Sequence, residues 1–190
     1  MENLRKGKIL VFSAPSGAGK TTIVRYLLNE FPELIFSVSA TTRKPRKNEV
    51  NGKDYFFIDE KEFLKKIELN QFVEWQKFYD YYYGTLREFV DKNLEKGKYV
   101  VLEVDVKGAI NIKKQYPDAV LIYIAPPNLD ELKKRLIQRN TETDEDFKKR
   151  IERAEMELTY KDKFDYIIVN DNLEKAKQTA KEIIKKIIKR

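Results

Sequence analysis

A loop near the start of the chain has the composition of a phosphate-binding turn. An apolar run over residues 8–13 predicts a strand, and apolar residues at helical spacing over 21–29 predict a helix. Between them lies Ser13-Ala14-Pro15-Ser16-Gly17-Ala18-Gly19-Lys20-Thr21. Glycine lets the backbone turn its N–H groups inward, Lys20 can reach the β and γ phosphates, and the Thr21 hydroxyl can ligate Mg²⁺. The order strand, loop, helix therefore predicts a nucleotide phosphate site. Ala14 stands where the strict pattern has glycine, and the alternative is an ordinary glycine-rich turn with a solvent-facing lysine.

A second candidate anion site lies in residues 39–46. Arg43 and Arg46 lie in a loop that Pro45 stiffens, and guanidinium groups fit phosphate oxygens bidentately. The phenolic hydroxyls of Tyr55 and Tyr83 are further donors. The segment predicts binding of an anionic group, and the alternative is a solvent-facing basic loop.

Glu74 lies between Val73 and Trp75 on a predicted strand, where a carboxylate needs polar partners. Guanine offers them, because its N1–H and exocyclic N2–H₂ are adjacent donors, whereas adenine presents an acceptor at N1. The hydroxyls of Ser39 and Thr85 can contact O6 and the remaining amine hydrogen. A site built on such pairing rejects the wrong partner by about 10⁴ to 10⁵. Spacing alone equally allows Glu74 to be an alternating, solvent-facing residue.

The whole-chain composition limits the chemistry. The 190 residues contain no histidine and no cysteine, which excludes a Cys/His zinc site, a thiolate nucleophile, an imidazole base and a disulfide framework. The net charge is +7, but basic residues are scattered beside acids, which favours solvation over binding of nucleic acid. The apolar runs are much shorter than the roughly 20 residues of a membrane span. We therefore expect a cytoplasmic protein with no nucleic-acid or membrane partner.

The elements that must position these groups alternate along the chain. Short β-rich runs over 8–13, 99–104, 119–124 and 166–169 alternate with helical stretches over 21–29, 105–115, 129–138 and 173–188. This alternation predicts an α/β fold with a parallel sheet covered by helices.

Two segments interrupt the alternation. Residues 55–83 are rich in aromatics and contain a helix opened by Asp59 and Glu62 as a capping box, which indicates an inserted subdomain. Residues 140–150 are polar and charged, with Thr143 placed to cap a following helix, and they suit a mobile lid.

The last predicted helix is amphipathic. Its apolar residues fall on one side, which predicts a docked terminal helix, and the alternative is binding to a membrane surface. These residues are Ala176, Ala180, Ile183, Ile184 and Ile187.

From Ile9 to Asn172 the chain resembles the guanylate kinase family. The resemblance rests on motifs that occur in family order: the loop of residues 14–20, Ser37-Val38-Ser39 leading into Thr41-Thr42-Arg43-Lys44-Pro45-Arg46, Glu49-Val50-Asn51-Gly52-Lys53-Asp54-Tyr55, Phe72-Val73-Glu74-Trp75, Tyr82-Tyr83-Gly84-Thr85, Glu103-Val104-Asp105-Val106-Lys107-Gly108 and Ile168-Val169-Asn170-Asp171.

The resemblance implies a P-loop NTPase-type parallel sheet with an inserted mixed β/α GMP-binding subdomain and a helical lid. In residue numbers it implies a core of 1–38, 89–134 and 153–190, a GMP-binding insertion of 39–88 and a lid of 135–152. The implied reaction is Mg²⁺-dependent, in-line transfer of the γ-phosphoryl of ATP to GMP, and also to dGMP, with lid closure. One alternative is a non-catalytic guanylate-kinase-like module that binds phosphopeptides. Another is a kinase for a different nucleotide or a phosphorylated sugar, against which Glu74 argues.

The resemblance also assigns roles to single residues. The ATP-binding residues are Ala14, Pro15, Ser16, Gly17, Ala18, Gly19, Lys20, Thr21, Thr22 and, near adenine, Asn170. The GMP phosphate falls to Arg43, Arg46, Tyr55 and Tyr83, guanine to Ser39, Glu74 and Thr85, and the GMP side also to Glu103, where many members have Asp. Magnesium falls to Thr21 and Asp105, partly through water. The residues at the transferring phosphoryl group are Lys20, Arg43, Arg135, Arg139 and Arg150.

Arg135 and Arg139 lie four residues apart on one predicted helix face, where a shared anion removes the cost of placing like charges together. Their alternative is an exposed basic stripe. Asn140 follows where the family usually has glycine, and it tolerates a left-handed turn.

Overall fold

The computed structural model describes residues 7–78, 80–137 and 144–189, with the side chains of 144–146 left out. By internal contacts the chain divides into two units. The first comprises residues 1–9, 33–102 and 111–119, and the second comprises 10–32, 103–110 and 120–190.

The described strands and helices follow in chain order. The strands are β1 (Ile9–Ser13), β2 (Leu34–Phe36), β3 (Ala40–Thr41), β4 (Phe56–Phe57), β5 (Phe72–Phe78), β6 (Tyr81–Leu86), β7 (Tyr99–Glu103), β8 (Val120–Ala125) and β9 (Tyr166–Val169). The helices are α1 (Lys20–Glu30), α2 (Glu60–Glu68), α3 (Arg87–Glu95), α4 (Val106–Gln115), α5 (Leu129–Ile137), α6 (Asp144–Leu158) and α7 (Leu173–Ile188).

The larger sheet is parallel and has the strand order β2-β7-β1-β8-β9. In the second unit β1 pairs with β8, from Leu10 opposite Val120 to Ser13 opposite Tyr123, and β8 pairs with β9. In the first unit β2 pairs with β7. All five residues of β1 are buried, as expected for a strand covered on both faces. The predicted α/β fold with a parallel sheet is confirmed.

Helix α7 closes the second unit. It contacts α1 and β9, and it begins at Asn172, whose side chain accepts a hydrogen bond from the Lys175 backbone N–H. The predicted apolar side is buried throughout, at Ala176, Ala180, Ile183, Ile184 and Ile187. The docked terminal helix is therefore confirmed. No helix within the described residues is long and apolar enough to cross a membrane.

A four-stranded mixed sheet, in the order β4-β3-β6-β5, lies wholly in the first unit. One of its faces packs on α2 through the buried residues Ala40, Phe63 and Phe72. The Asp59 carboxylate accepts a hydrogen bond from the Glu62 backbone N–H at 2.7 Å, so the predicted start of α2 is confirmed. The predicted insertion, residues 39–88, belongs entirely to this unit.

Strand β2 and helix α3 are among the elements that were not predicted from the sequence. Strand β2 has only three residues, and α3 has a single buried residue, Val90. Both are too short or too polar for their periodicity to stand out. The predicted strand at 166–169 and the predicted helix at 173–188 have the observed bounds. The predicted cap Thr143 lies outside the described residues.

Candidate nucleotide-binding sites

The phosphate loop of the second unit joins β1 to α1. Gly17 and Gly19 have φ angles of +88° and +92°, a region that side chains with a Cβ avoid. A Cβ at Gly19 would also lie 2.3 Å from Nδ2 of Asn170. Both glycines are thus required by the loop conformation, and Lys20 and Thr21 open the helix that follows. This is the arrangement that the sequence predicts for a phosphate-binding turn.

Asn170 holds the phosphate loop from the end of β9. Its buried side chain donates a hydrogen bond from Nδ2 to the Ala18 carbonyl at 2.8 Å. Its own carbonyl accepts a hydrogen bond from Nη1 of Arg135 at 3.1 Å. The family resemblance places Asn170 near adenine, and the contact observed here is with the loop backbone.

Two of the three predicted lid arginines contact either the phosphate loop or Asn170, which is bonded to that loop. Arg135 lies on α5 and donates from Nε to Glu131 at 3.1 Å, in addition to its bond with Asn170. Arg150 lies on α6 and donates from Nη2 to the Ser16 hydroxyl at 2.5 Å. The third arginine, Arg139, lies outside the described residues, as does Asn140.

Two carboxylates at the carboxyl end of β7 lie near the phosphate loop, Glu103 as the last residue of the strand and Asp105 two residues later. Oε2 of Glu103 accepts a hydrogen bond from the Thr21 hydroxyl at 3.3 Å and lies 3.9 Å from Nζ of Lys20. Oδ1 of Asp105 accepts from the Gly108 backbone N–H at 2.8 Å, at the start of α4. The family resemblance assigns Glu103 to the GMP side, and its observed contacts are with Lys20 and Thr21.

The sequence did not identify Arg153 and Glu157 of α6 as site residues. Nε of Arg153 donates to Oε1 of Glu157 at 2.8 Å, and its Nη2 lies 3.6 Å from Oδ2 of Asp105. Burial raises the pKa of the Glu157 carboxyl, against the opposing effect of Arg153. A charged pair within a charged helix looks like a solvated face. The sequence signal that could have identified Glu157 is its helical spacing from Ile151 and Ala154, two apolar residues that the structure shows to be buried.

In the first unit, the predicted guanine residues share one face of the mixed sheet. Glu74 of β5 lies opposite Thr85 of β6, and the Thr85 hydroxyl donates to Oε1 of Glu74 at 2.9 Å. Ala40 pairs with Gly84, which places Ser39 in the same row as Thr85. Since side chains alternate across a strand, this row lies on the face opposite the one that packs on α2.

The tyrosines predicted to bind phosphate lie on the same face. Tyr83 is two residues from Thr85, and its ring meets that of Tyr55 edge-on at 6.0 Å between centroids. The Arg43 guanidinium carbon lies 5.4 Å from the Tyr55 ring centroid. Tyr55, Tyr83 and Arg43 are therefore grouped, as the sequence predicts.

The loop after β3 is fixed by Glu49, which the sequence did not identify as a site residue. Its carboxylate accepts two hydrogen bonds from Arg43, at 2.8 and 2.9 Å, and one from the Arg46 backbone N–H at 2.7 Å. These bonds, those with Arg43 foremost, lower the pKa of Glu49 to about 2, and the same pairing raises the pKa of Arg43. The side chain of Arg46 is exposed. The signal for Glu49 was a lone carboxylate three residues after a cluster of basic side chains.

The comparisons with known proteins agree with this geometry. A family model described as guanylate kinase matches residues 6–187, nearly the whole chain. The chain belongs to the guanylate kinase family. Its curated relatives include the guanylate kinase of Thermotoga maritima, 47% identical over 95% of this chain and 87% of that protein. The guanylate kinase of Bacteroides thetaiotaomicron is 49% identical over 96% of this chain and 90% of its own length.

A solved structure is similar as well. The crystal structure of guanylate kinase from Anaplasma phagocytophilum aligns with a TM-score of 0.76 and 30% identity, covering 95% of this chain and 86% of that one. The chain is thus an enzyme of the nucleoside monophosphate kinase class, with guanylate kinase function. A non-catalytic module is not favoured.

Proposed function

We propose that the enzyme binds ATP at residues 14–22 and GMP on the open face of the mixed sheet, and transfers the γ-phosphoryl group between them. The observation that carries the proposal is the Glu74 carboxylate, held by the Thr85 hydroxyl at 2.9 Å on the sheet face that also bears Tyr55 and Tyr83. A carboxylate fixed in this way accepts both N1–H and N2–H₂ of guanine. Adenine offers an acceptor at the first of these positions and leaves the carboxylate unpaired.

The acceptor phosphate is assigned to Arg43 and Arg46, with Tyr55 and Tyr83 as further donors. Support comes from the Arg43 guanidinium lying 5.4 Å from the Tyr55 ring centroid and from the Glu49 carboxylate that holds the backbone between the two arginines. A loop fixed by one of its own side chains loses less conformational freedom when a ligand binds, which lowers the entropic cost of binding.

The donor side is suited to magnesium with the nucleotide. The Thr21 hydroxyl and Glu103 carboxylate oxygens lie 3.3 Å apart, and oxygen donors are the ligands that Mg²⁺ prefers. No cluster of three or more acidic side chains that could hold a metal occurs in the described part of the chain. We propose that Thr21 and Asp105 would hold Mg²⁺ together with the bound ATP, with the Glu103 carboxylate beside the Thr21 hydroxyl. When bound, Mg²⁺ neutralises phosphate oxygens and fixes their geometry.

The transfer itself needs no protein base, because the accepting oxygen belongs to a phosphate that is already anionic near neutral pH. The bond between the γ-phosphorus and the β–γ bridging oxygen breaks, and a bond from the γ-phosphorus to a GMP phosphate oxygen forms. The charge on the γ-phosphoryl oxygens during transfer is neutralised by Lys20 and by the lid arginines Arg135, Arg139 and Arg150. Arg43 aligns the acceptor phosphate. A chain without histidine is compatible with such a reaction.

Productive transfer also requires that water be kept from the γ-phosphoryl group. We propose that residues 39–88 and 135–152 close when both nucleotides bind. Small-angle scattering or distances between paired spin labels, compared for the free and two-substrate forms, test this. Identical distances in both forms would exclude closure.

The function is tested by coupled measurement of ADP release with GMP, dGMP, AMP, CMP and UMP as acceptors. GMP and dGMP should be phosphorylated, since no assigned residue relies on the 2′-hydroxyl, and AMP should be poorer by about 10⁴-fold or more. Glu74→Gln should lose most of this preference because an amide presents a donor towards one of the guanine donors. AMP turnover equal to that of GMP would refute the base-recognition assignment. Full activity of Lys20→Ala would refute the phosphate-loop assignment.

A further inference from the structure

Helix α6 carries a second charged contact besides Arg150. Arg150 and Arg153 are three residues apart and therefore share a helix face. Arg150 contacts the Ser16 hydroxyl of the phosphate loop, and Arg153 faces Asp105. The same helix thus meets the candidate nucleotide site of the second unit at two different groups.

The geometry of Arg153 is fixed from its own helix. Nε donates to Glu157 at 2.8 Å, one helical turn further on, and Nη2 lies 3.6 Å from Oδ2 of Asp105. The guanidinium group is planar, so holding Nε sets the direction of the Nη2 donors. The other Asp105 oxygen is already bonded to the Gly108 backbone N–H. Arg153 therefore bridges Glu157 of its own helix and Oδ2 of Asp105, which lies at the start of α4.

The position of Glu157 is not explained by helix stability. Its side chain is 5% exposed, against 33% for Arg153 and 10% for Asp105. An exposed pair at i,i+4 would stabilise the helix without the cost of desolvating a carboxylate, and a buried ion pair is weak evidence of stabilisation. Burial raises the pKa of Tyr123, and the charge of Glu157 adds to the effect. The buried position of Glu157 is better explained if its carboxylate serves to orient Arg153.

We propose that Arg153, held by Glu157, is a positioning residue that orients the Asp105 carboxylate towards the metal–nucleotide complex. The inference rests on the proposed role of Asp105 at magnesium. It differs from the roles of Lys20 and the lid arginines, because Arg153 acts through Asp105 rather than on a phosphate. Side chains that orient a metal-ligating group change metal affinity by about 10- to 100-fold when they are removed.

The test is calorimetric titration of the full chain with ADP, with and without Mg²⁺. In Arg153→Met the gain in ADP affinity that Mg²⁺ provides should fall by about 10-fold, while the affinity for metal-free ADP stays within about 2-fold. The matched control is Lys148→Met, which removes one positive charge from an exposed position of the same helix, and it should preserve the gain. Glu157→Gln keeps an acceptor for Nε and should retain most of the gain, whereas Glu157→Ala should resemble Arg153→Met.

Three results would overturn the proposal. They are an equal loss of ADP affinity with and without Mg²⁺ in Arg153→Met, the same loss in Lys148→Met, and a lower melting temperature with the gain unchanged. The variant Asp105→Asn distinguishes a failure of this inference from a failure of the proposed metal role of Asp105. If that variant retains the gain, the metal role of Asp105 fails and the inference with it. If Asp105→Asn loses the gain and Arg153→Met does not, only the role of Arg153 fails.

Discussion

Glu49 and Arg43 form a bidentate ion pair, with nitrogen–oxygen distances of 2.8 and 2.9 Å. The same carboxylate accepts the Arg46 backbone N–H, and Nη1 of Arg43 also donates to the Lys44 carbonyl at 2.8 Å. One acidic side chain therefore fixes both the orientation of Arg43 and the path of the backbone to Arg46. The basic loop that we assign to the GMP phosphate is therefore held in shape by an acidic side chain.

Glu49→Gln should weaken GMP binding more than it slows transfer. The amide keeps the size of the side chain but loses its charge and turns an NH₂ group towards the guanidinium donors, so Arg43 is no longer held bidentately. We expect the KM for GMP to rise about 10-fold, the equivalent of one charge-assisted hydrogen bond, with a smaller change in kcat. Initial rates against GMP concentration at saturating ATP measure this.

A matched control for this substitution is Glu95→Gln. Glu95 is exposed at the end of α3, so its variant carries the same change in net charge away from the loop. Its KM for GMP should equal that of the parent. Equal KM values for GMP in all three proteins would show that Glu49 does not position Arg43.

The Glu49 pair also predicts a dependence of stability on pH. The pKa of Glu49 is lowered from 4.5 to about 2, mainly by its hydrogen bonds with Arg43. A carboxyl with a lowered pKa in the folded state stabilises the fold above the pKa of the unfolded chain and loses that contribution as the pH falls through the folded value. The difference in unfolding free energy between the parent and Glu49→Gln should therefore be full above pH 4.5 and shrink towards pH 2.

Carboxyl carbon shifts of Glu49, followed by NMR as the pH falls, measure the titration directly, and chemical denaturation measures the stability difference. Glu62, which is exposed on α2, provides the comparison within the same spectrum. A Glu49 midpoint near its ordinary value, or a stability difference that is constant with pH, would mean that the ion pair does not persist in solution.

Gly84 should not tolerate alanine, for reasons of packing. A Cβ at this position would lie 2.8 Å from Cδ1 of Phe72 and 3.0 Å from Cζ of Phe63, two buried rings stacked at 4.4 Å between centroids. Overpacking of this kind costs about 1 to 3 kcal/mol, and we expect Gly84→Ala to lower the free energy of unfolding by that amount. Urea denaturation measures the change. Phe72→Leu should recover part of it in the double variant, and simple additivity of the two losses would argue against a clash.

The sequence predicted those features that depend on short stretches of chain. The loop around Gly17 and Gly19 is one, because the positive φ values are a local requirement. The alternation of strands and helices is another, and it gave the parallel sheet. The assignment of Glu74 and Thr85 to guanine followed from residue chemistry together with the family resemblance, since spacing alone left Glu74 undecided, and their hydrogen bond with each other was not predicted.

Other contacts between residues distant along the chain were not predicted from the sequence. Arg153 and Asp105 are 48 positions apart and meet only in the folded unit. Glu157 differs from a solvent-exposed charge on a helix only because it is buried, and its burial depends on what packs against α6. Asn170 likewise reaches the phosphate loop from the far end of β9. Such contacts depend on the tertiary arrangement, which neither periodicity nor local composition encodes.

Asn170→Ala should loosen the phosphate loop. The substitution removes the Nδ2 donor from the Ala18 carbonyl, which leaves a backbone acceptor unpaired in a buried place and costs about 1 to 3 kcal/mol of stability. Since Ala18 lies between the two glycines with positive φ, the loop should lose the conformation that presents its N–H groups to phosphate. We expect the KM for ATP to rise about 10-fold, the equivalent of 1.4 kcal/mol, with the KM for GMP little changed. Initial rates with each substrate varied in turn measure both constants.

Two further variants make the test specific to the loop. Asn170→Asp replaces the donor with a carboxylate that faces the Ala18 carbonyl and adds negative charge where phosphate is to bind, so its KM for ATP should rise further than that of Asn170→Ala. Asn93→Ala removes a comparable bond, from Nδ2 to the Phe89 carbonyl at 2.7 Å within α3. That variant should lose stability without a change in the KM for ATP. If Asn93→Ala and Asn170→Ala raise the KM for ATP equally, the effect is one of general stability, and Asn170 has no special part in shaping the phosphate loop.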